Sequence, residues 1–170
     1  MNEAQRRRLT GLVPEPIQWQ CSLHRYTSFA IGGPAEAIVK VGLVRELQSL
    51  LTFLAEEVIP WRVLGRGTNL LVRDEGFPGV IVLLGGEFEA IGEEEGVDDA
   101  VLLRVGAGCG LAKLSRRCSE HGLTGLEFGC GIPGTIGGAV IMNAGAWGRD
   151  IASVLQSVTL VTATKEIILS

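Results

Sequence analysis

The stretch Gly125–Asp150, GLEFGCGIPGTIGGAVIMNAGAWGRD, constrains this chain more than any other. It sets eight glycines and one proline around an apolar run. Glycine normally makes up about 7% of a sequence. Inside an element each glycine costs roughly 0.5–1 kcal/mol relative to alanine. A chain that repeats this cost needs unusual backbone conformations, or backbone brought very close to something. Open backbone presents amide hydrogens, which hold phosphates and flat polar rings without charged side chains. The stretch is therefore a candidate cofactor-binding wall.

Two familiar glycine motifs do not fit it. Gly129-Cys-Gly131-Ile-Pro133-Gly134 spells G-x-G-x-x-G, but a dinucleotide fingerprint must follow a strand and open a helix. Gly137 and Gly138 come at once and oppose a helix. Asp150 stands roughly where a ribose-binding acid could lie, yet the intervening helix is not expected. The same run imitates a phosphate-binding P-loop but lacks its lysine.

Two further loops have the same small, polar, glycine-rich character. Trp61–Val72, WRVLGRGTNLLV, reads as strand, turn, strand. In its turn, Thr68 and Asn69 offer short polar groups, and Arg66 could face a diphosphate. Tyr26–Pro34, YTSFAIGGP, precedes a strand-like run at Ala37–Val41. Each loop alone is an ordinary tight turn. Three of them in 170 residues suit one extended ligand better.

These segments carry a resemblance. LGRGTNLLVRDEGFPGVIVLL, GLEFGCGIPGTIGGAVIMNAGAWG and YTSFAIGGPAEA are similar to the flavin-binding region of the UDP-N-acetylenolpyruvoylglucosamine reductase family, the UDP-N-acetylmuramate dehydrogenases or MurB family. The similarity runs from about Leu23 to the end of the chain. The GIPGTIGGAVIMNAGAWG block is highly specific; GRGTNLLV is shared more loosely with the vanillyl-alcohol-oxidase (PCMH) type of FAD fold. The resemblance implies an α+β fold of that type, with two small subdomains around the cofactor. It implies non-covalent FAD, NADPH as reductant, a UDP-sugar enolpyruvyl substrate and a cytoplasmic step of peptidoglycan synthesis.

It also implies the site residues. Gly65, Arg66, Gly67, Thr68, Asn69 and Leu70 should line the diphosphate. Gly131, Ile132, Pro133, Gly134, Thr135, Gly137, Gly138 and Asn143 should line the flavin and its ribityl or adenine side. Ala144, Gly145 and Gly148 follow in the same loop. Ile31 and Gly32 are weaker candidates. Trp147 stands where the family usually has tyrosine, and its simplest role is packing. Gly106-Ala107-Gly108 reads as a turn into the second helix, with a cofactor contact as the alternative.

No catalytic residue is carried over. The family places its chemistry in a Tyr-Arg pair within an F-G-Y-R-x-S pattern, with a serine and a glutamate in a later substrate-binding domain. None of these motifs occurs in the sequence, and Arg149 and Ser153 do not match them. The expected organisation is an N-terminal extension over residues 1–22 and an FAD-binding domain over 23–170, without the substrate-binding domain. The preferred reading is a fragment of a full-length enzyme. A flavin module served by another chain, and an oxidase of the same fold, are the alternatives. The expected state is a monomer, or a chain dependent on the missing domain.

Composition agrees without having produced this reading. A chain of this length holds one domain's worth of core. A net charge of −4 argues against nucleic acid as a partner. The longest apolar runs, such as Val80–Leu84, fall far short of the roughly 20 residues a membrane span needs. Arg6-Arg7-Arg8 reads as a solvated or frayed terminus. Cys21, Cys109, Cys118 and Cys130 form no C-x-x-C pair, and His24 and His121 complete no metal spacing. Reduced thiols are expected, and Cys130, inside the glycine wall, is expected not to bond the flavin.

The coarse elements follow from periodicity and breakers. Strands are expected at Ala37–Val41, Trp61–Leu64, Leu70–Val72, Val80–Leu84, Phe88–Ile91, Val101–Val105, Val154–Val161 and Glu166–Leu169. A turn is expected at Asp74–Gly79. Helices are expected at Leu43–Glu57, ended by Ile59-Pro60, and at Leu111–Glu120, closed by His121-Gly122. Glu93-Glu94-Glu95 and Asp98-Asp99 read as a solvated hairpin loop.

Overall fold

The computed structural model describes residues 1–94 and 100–170. In chain order the elements are α1 (Glu3–Leu12), β1 (Gln18–Ser22), β2 (Pro34–Val41), α2 (Val44–Glu56), β3 (Trp61–Val63), β4 (Phe77–Leu84), β5 (Ile91–Glu94), β6 (Leu102–Val105), α3 (Leu111–Glu120), α4 (Ile136–Met142), β7 (Gly145–Ala146), β8 (Arg149–Asp150), β9 (Val158–Val161) and β10 (Glu166–Leu169). They form two compact units. The first holds residues 1–86 and 157–170, the second residues 87–156.

The first unit is built on a four-stranded sheet in the order β1-β2-β4-β3. β4 runs parallel to both its neighbours, and β1 pairs antiparallel with β2. A parallel strand flanked on both sides reads as a continuous apolar run because both its faces are covered. Val80, Ile81 and Val82 of β4 are accordingly all buried. Leu23, Ala35, Ile38, Leu64 and Ile81 form one core cluster of this unit. On α2, Leu47, Leu50, Leu51, Phe53 and Leu54 are buried at helical spacing. The Glu46 carboxylate caps the start of α2 by accepting from the amides of Gly42 and Leu43 at 2.8 and 3.1 Å. β9 and β10 form an antiparallel hairpin.

The first 22 residues are ordered parts of this unit. Asn2 and Gln5 exchange both hydrogen bonds of a capping box at the start of α1, and Leu9 is fully buried. The frayed-terminus reading of the arginine cluster is therefore corrected. Arg8 pairs with Glu56 and Glu57 at 2.5 and 2.8 Å and lies over the Phe53 ring. Arg6 lies over Trp19.

Leu70–Val72 is not a strand. Both neighbouring positions beside β4 are taken by β2 and β3, so this apolar segment finds no ladder. Leu70 and Val72 instead pack their side chains against the core cluster. The expected turn at Asp74–Gly79 is shorter, because β4 already begins at Phe77.

In the second unit, β5 and β6 pair antiparallel, but the first strand lies later than expected: it runs Ile91–Glu94, so Glu93 and Glu94, expected in the loop, pair with Leu103 and Leu102. Part of the acidic loop, Glu95 and Asp98-Asp99, lies outside the described residues. Phe88 is in a 3₁₀ turn rather than a strand and is buried. Its carbonyl accepts from Gly108 at 2.8 Å, so it faces a turn instead of a ladder. α3 has the expected bounds and ends in a full Schellman motif. Leu123 N–H reaches the Cys118 carbonyl at 2.9 Å, and Gly122 N–H reaches Ser119 at 3.1 Å. β9 begins at Val158, not Val154, because Ile151–Ser153 closes into a 3₁₀ turn capped by Asp150. A second core gathers Leu111, Phe128, Ala139 and Ile151.

The glycine stretch folds differently from expectation. Gly137 and Gly138 lie inside a helix, α4, which begins directly after Thr135. Thr135 caps it by accepting from the Gly138 amide at 3.4 Å. Packing overrides the poor helix propensity of this sequence. A Cβ on Gly137 would stand 3.0 Å from that of Ala107, so glycine lets α4 settle closely on the Gly106–Gly108 turn. The dinucleotide fingerprint still fails, because a 3₁₀ turn at Glu127–Gly129 precedes it where a strand is required. No helix among the described residues is long and apolar enough to cross a membrane.

Candidate functional site

The first unit brings two of the three predicted loops together. Ser28 N–H donates to the Gly67 carbonyl at 3.0 Å, and Gly33 N–H donates to Arg73 at 2.9 Å. Ile31 and Gly32 thus belong to the same backbone assembly as Gly65–Leu70. Thr27 is buried and gives its hydroxyl hydrogen to the Ile31 carbonyl at 2.8 Å. Ser22 gives its own to Gly32 at 2.8 Å and is met by His24 Nδ1 at 2.8 Å. Because the Ser22 hydrogen is committed to Gly32, Ser22 Oγ accepts from His24 Nδ1–H.

Gly67 sets this geometry. Its φ is +61°, in the left-handed region that a side chain disfavours. The loop around it is amide-rich. Among the described residues, no protein acceptor takes the amide hydrogens of Gly65, Arg66, Gly67 or Asn69. Gly65–Leu70 contains no acidic residue, and Arg66 is exposed and pairs with no described carboxylate. Such a donor set is complementary to a phosphate-type anion.

The second unit carries the rest. The run 131–135 crosses from the 3₁₀ turn to α4 and is held from beneath. Leu111 N–H donates to Gly134 at 3.1 Å, Ile136 to Cys109 at 2.8 Å and Gly137 to Ala107 at 2.8 Å. Beside Gly131 a Cβ would meet nothing within 4 Å, so the backbone there faces open space. Ile132, Ile136, Val140 and Ala144 pack against the core of this unit. Asn143 ends α4 in the left-handed conformation. Both ends of its amide are engaged: Nδ2 donates to Asp150 Oδ2 at 2.9 Å, and Oδ1 accepts from Ala152 N–H at 3.1 Å. Gly145 lies in β7 against β8, and Trp147-Gly148 form the hairpin tip. Trp147 is 81% exposed, so it is not a packing residue.

The four cysteines are free. Cys130 is exposed beside Gly131, whereas burial pushes the Cys118 thiol upward. Glu127 accepts from backbone amides, its own first and then that of Gly125, which hold its carboxyl below the usual range. Among the described residues, no group of three or more His, Cys, Asp and Glu could hold a metal ion. Sequence reasoning missed the supporting roles of Ser22, Thr27, Ala107 and Asp150, weighing Asp150 only as a ribose-binding acid and placing Ala107 in a turn. No motif marks them; each serves by a hydrogen bond or a contact that only the fold creates.

Each of the two units thus carries a surface of glycine loops, in an α+β chain that lacks the βαβ nucleotide fingerprint. Comparison with known proteins narrows the class. The chain belongs to the FAD binding domain family (FAD_binding_4), whose profile matches residues 35–169. It is 44% identical over 156 residues to UDP-N-acetylenolpyruvoylglucosamine reductase 2 of Symbiobacterium thermophilum, covering 91% of this chain and 49% of that protein. It is 44% identical over 149 residues to reductase 1 of Bacillus cereus, covering 85% and 44%. The crystal structure of the Thermus caldophilus reductase (MurB) matches with a TM-score of 0.72 and 34% identity, covering 91% of this chain and 51% of that one. The chain thus spans about half the length of the relatives it matches.

Proposed function

We propose that this chain is the FAD-binding part of a reductase that uses NADPH to convert UDP-N-acetylglucosamine enolpyruvate to UDP-N-acetylmuramate in the cytoplasm. The observation that carries the FAD assignment is the amide-rich run Gly65–Leu70. It joins open donors to an arginine and excludes carboxylates. The loop at Gly131 offers a second surface, where open backbone suits a flat polar ring. The relatives' shared name supports the reaction, and the partial coverage supports a role for this chain in the cofactor half of it.

FAD, when bound, supplies hydride transfer. The chain's own residues do the positioning. Gly65, Arg66, Gly67, Thr68, Asn69 and Leu70 would hold the diphosphate, with Ile31 and Gly32 beside them. Gly131, Ile132, Pro133, Gly134, Thr135, Gly137, Gly138, Ala144, Gly145 and Gly148 would form the wall for the ring and its linker. The groups that orient the substrate and deliver the proton are assigned to the portion of the relatives that this chain does not span.

An absorption spectrum of the natively purified chain, with and without NADPH and the enolpyruvyl substrate, tests this. The expected result is oxidised flavin that NADPH bleaches poorly and the substrate does not reoxidise. Flavin that cycles with both would place the whole activity in this chain. Oxygen-driven turnover of an alcohol would identify an oxidase of the same fold instead.

A further inference from the structure

The side chain of Asn143 is engaged within its own unit at both its oxygen and its nitrogen. Its oxygen accepts the Ala152 amide and one of its two N–H groups is given to Asp150. Asp150 is itself held in place. Its second carboxylate oxygen accepts from Ser153 N–H at 3.1 Å, and its carbonyl accepts from Ser153 Oγ at 2.6 Å. Asn143 thereby ties the end of α4 to the far strand of the β7–β8 hairpin.

That hairpin needs a tie. Each strand has only two residues, and so short a ladder is unstable alone. Its tip, Trp147-Gly148, has φ of +53° and +79°. This is the two-residue hairpin turn in which Asn-Gly or Asp-Gly is preferred. A bulky aromatic at the first position is strained. Gly145 leaves no slack either, since a Cβ there would lie 2.5 Å from the Arg149 carbonyl oxygen.

We infer that Asn143 and Asp150 form a clasp that positions the Ala144–Gly148 part of the cofactor wall, so that Asn143 acts through Asp150 and not on the cofactor. The inference rests on the FAD reading for the wall that the clasp positions and for the affinity measurement; the clasp itself is read by amide exchange. It makes Asn143 a positioning residue, and it sets apart one of the residues that the family resemblance assigns to the flavin.

Exchanging the two side chains tests it. Asn143→Asp sets two carboxylates face to face. Asp150→Asn replaces one of the two accepting oxygens with a donor, so the Asn143 and Ser153 N–H groups are left with one side-chain oxygen between them. The double variant N143D/D150N restores every pairing. The carboxylate then at position 143 accepts from Ala152 N–H and from the side-chain amide at position 150, whose own oxygen accepts from Ser153 N–H. FAD dissociation constants and hydrogen exchange of the Ala152 amide are measured for the four chains. Each single change should weaken FAD binding about tenfold and speed Ala152 exchange comparably, from the loss of one charge-assisted hydrogen bond. The double variant should return both to within about twofold of the parent. Restored exchange without restored FAD affinity would show that the Asn143 amide touches the cofactor, and would overturn the clasp. Ala152 exchange unchanged in both single variants would overturn it equally. If the parent takes up no FAD, the cofactor reading fails by itself, and the exchange pattern still decides for or against the clasp.

Discussion

A Cβ placed on Gly67 would stand 1.9 Å from the carbonyl oxygen of Tyr26. The glycine is there because two backbone segments of the same unit touch, and Ser28 fixes the contact by donating to the Gly67 carbonyl. Any side chain at 67 must move the Tyr26–Gly33 loop and also occupy a left-handed conformation, which alone costs roughly 1–2 kcal/mol. Gly67→Val should therefore lower stability by at least about 2 kcal/mol and abolish flavin retention. Thermal midpoint and flavin absorbance are measured together. A variant that keeps its midpoint and its flavin would refute both the contact and its role.

The same backbone logic predicts a stabilising change. α2 and α3 end alike, each with a Schellman motif. In α3 the left-handed position is Gly122, with φ of +70°. In α2 it is Val58, with φ of +53° and its side chain 86% exposed. Ile59 N–H reaches Leu54 at 2.9 Å and Val58 N–H reaches Ala55 at 3.2 Å, so the motif is complete despite the β-branched residue. Val58→Gly should raise stability by roughly 0.5–1 kcal/mol, the relief of left-handed strain less the added chain entropy of glycine. Gly122→Ala should lower it by about 1 kcal/mol. Denaturant midpoints check both; a destabilised Val58→Gly would mean that the valine packs in a way its exposure hides.

Glu127 gives a pH-dependent term whose sign is fixed. Backbone amides of Glu127 and Gly125 hold its carboxyl below the usual carboxylate value of about 4.3. A folded-state value below the unfolded one adds stability that is present above the unfolded value. That stability is lost as pH falls through the folded one. Glu127→Gln should thus be less stable than the parent at neutral pH, and the gap should close in acid. Thermal midpoints of the two chains across the acid range measure the gap. A gap that is constant with pH would show that the carboxylate charge contributes nothing.

How far was this legible beforehand? α2 and α3 were, because their buried residues recur at helical spacing and their ends carry Pro60 and Gly122. β10 was, because Glu166–Leu169 is bounded by polar residues. α4 was not, because its sequence argues against a helix and only the contact between Gly137 and Ala107 explains it. Leu70–Val72 has the composition of a strand, but whether a strand forms depends on a vacant sheet edge, which no local pattern reveals. The glycine loops marked the candidate site correctly as special backbone. They did not show that Gly33, Gly67 and Gly145 are demanded by neighbouring backbone within their own unit. Nor did they show that the side chain of Asn143 is taken up by Asp150.

Cys130 supplies a chemical report on the same wall. It is the exposed cysteine of the second unit, lying between Gly129 and Gly131, while Cys109 and Cys118 are buried. The Cys118 thiol is also pushed upward by burial, which leaves less of the reactive thiolate at a given pH. A maleimide added to the native chain near neutral pH should therefore label Cys130 well before Cys109 or Cys118, as read by peptide mass spectrometry. If the Gly131–Thr135 backbone carries FAD, saturating cofactor should slow labelling of Cys130 several-fold and leave Cys21, in the first unit, as the internal reference. Labelling of Cys130 at the same rate with saturating, demonstrably bound FAD would move the flavin off this wall. The result also bears on covalent attachment: a cysteine that stays alkylatable in the loaded protein carries no bond to the flavin, whereas a flavin-bearing Cys130 peptide would show that one forms.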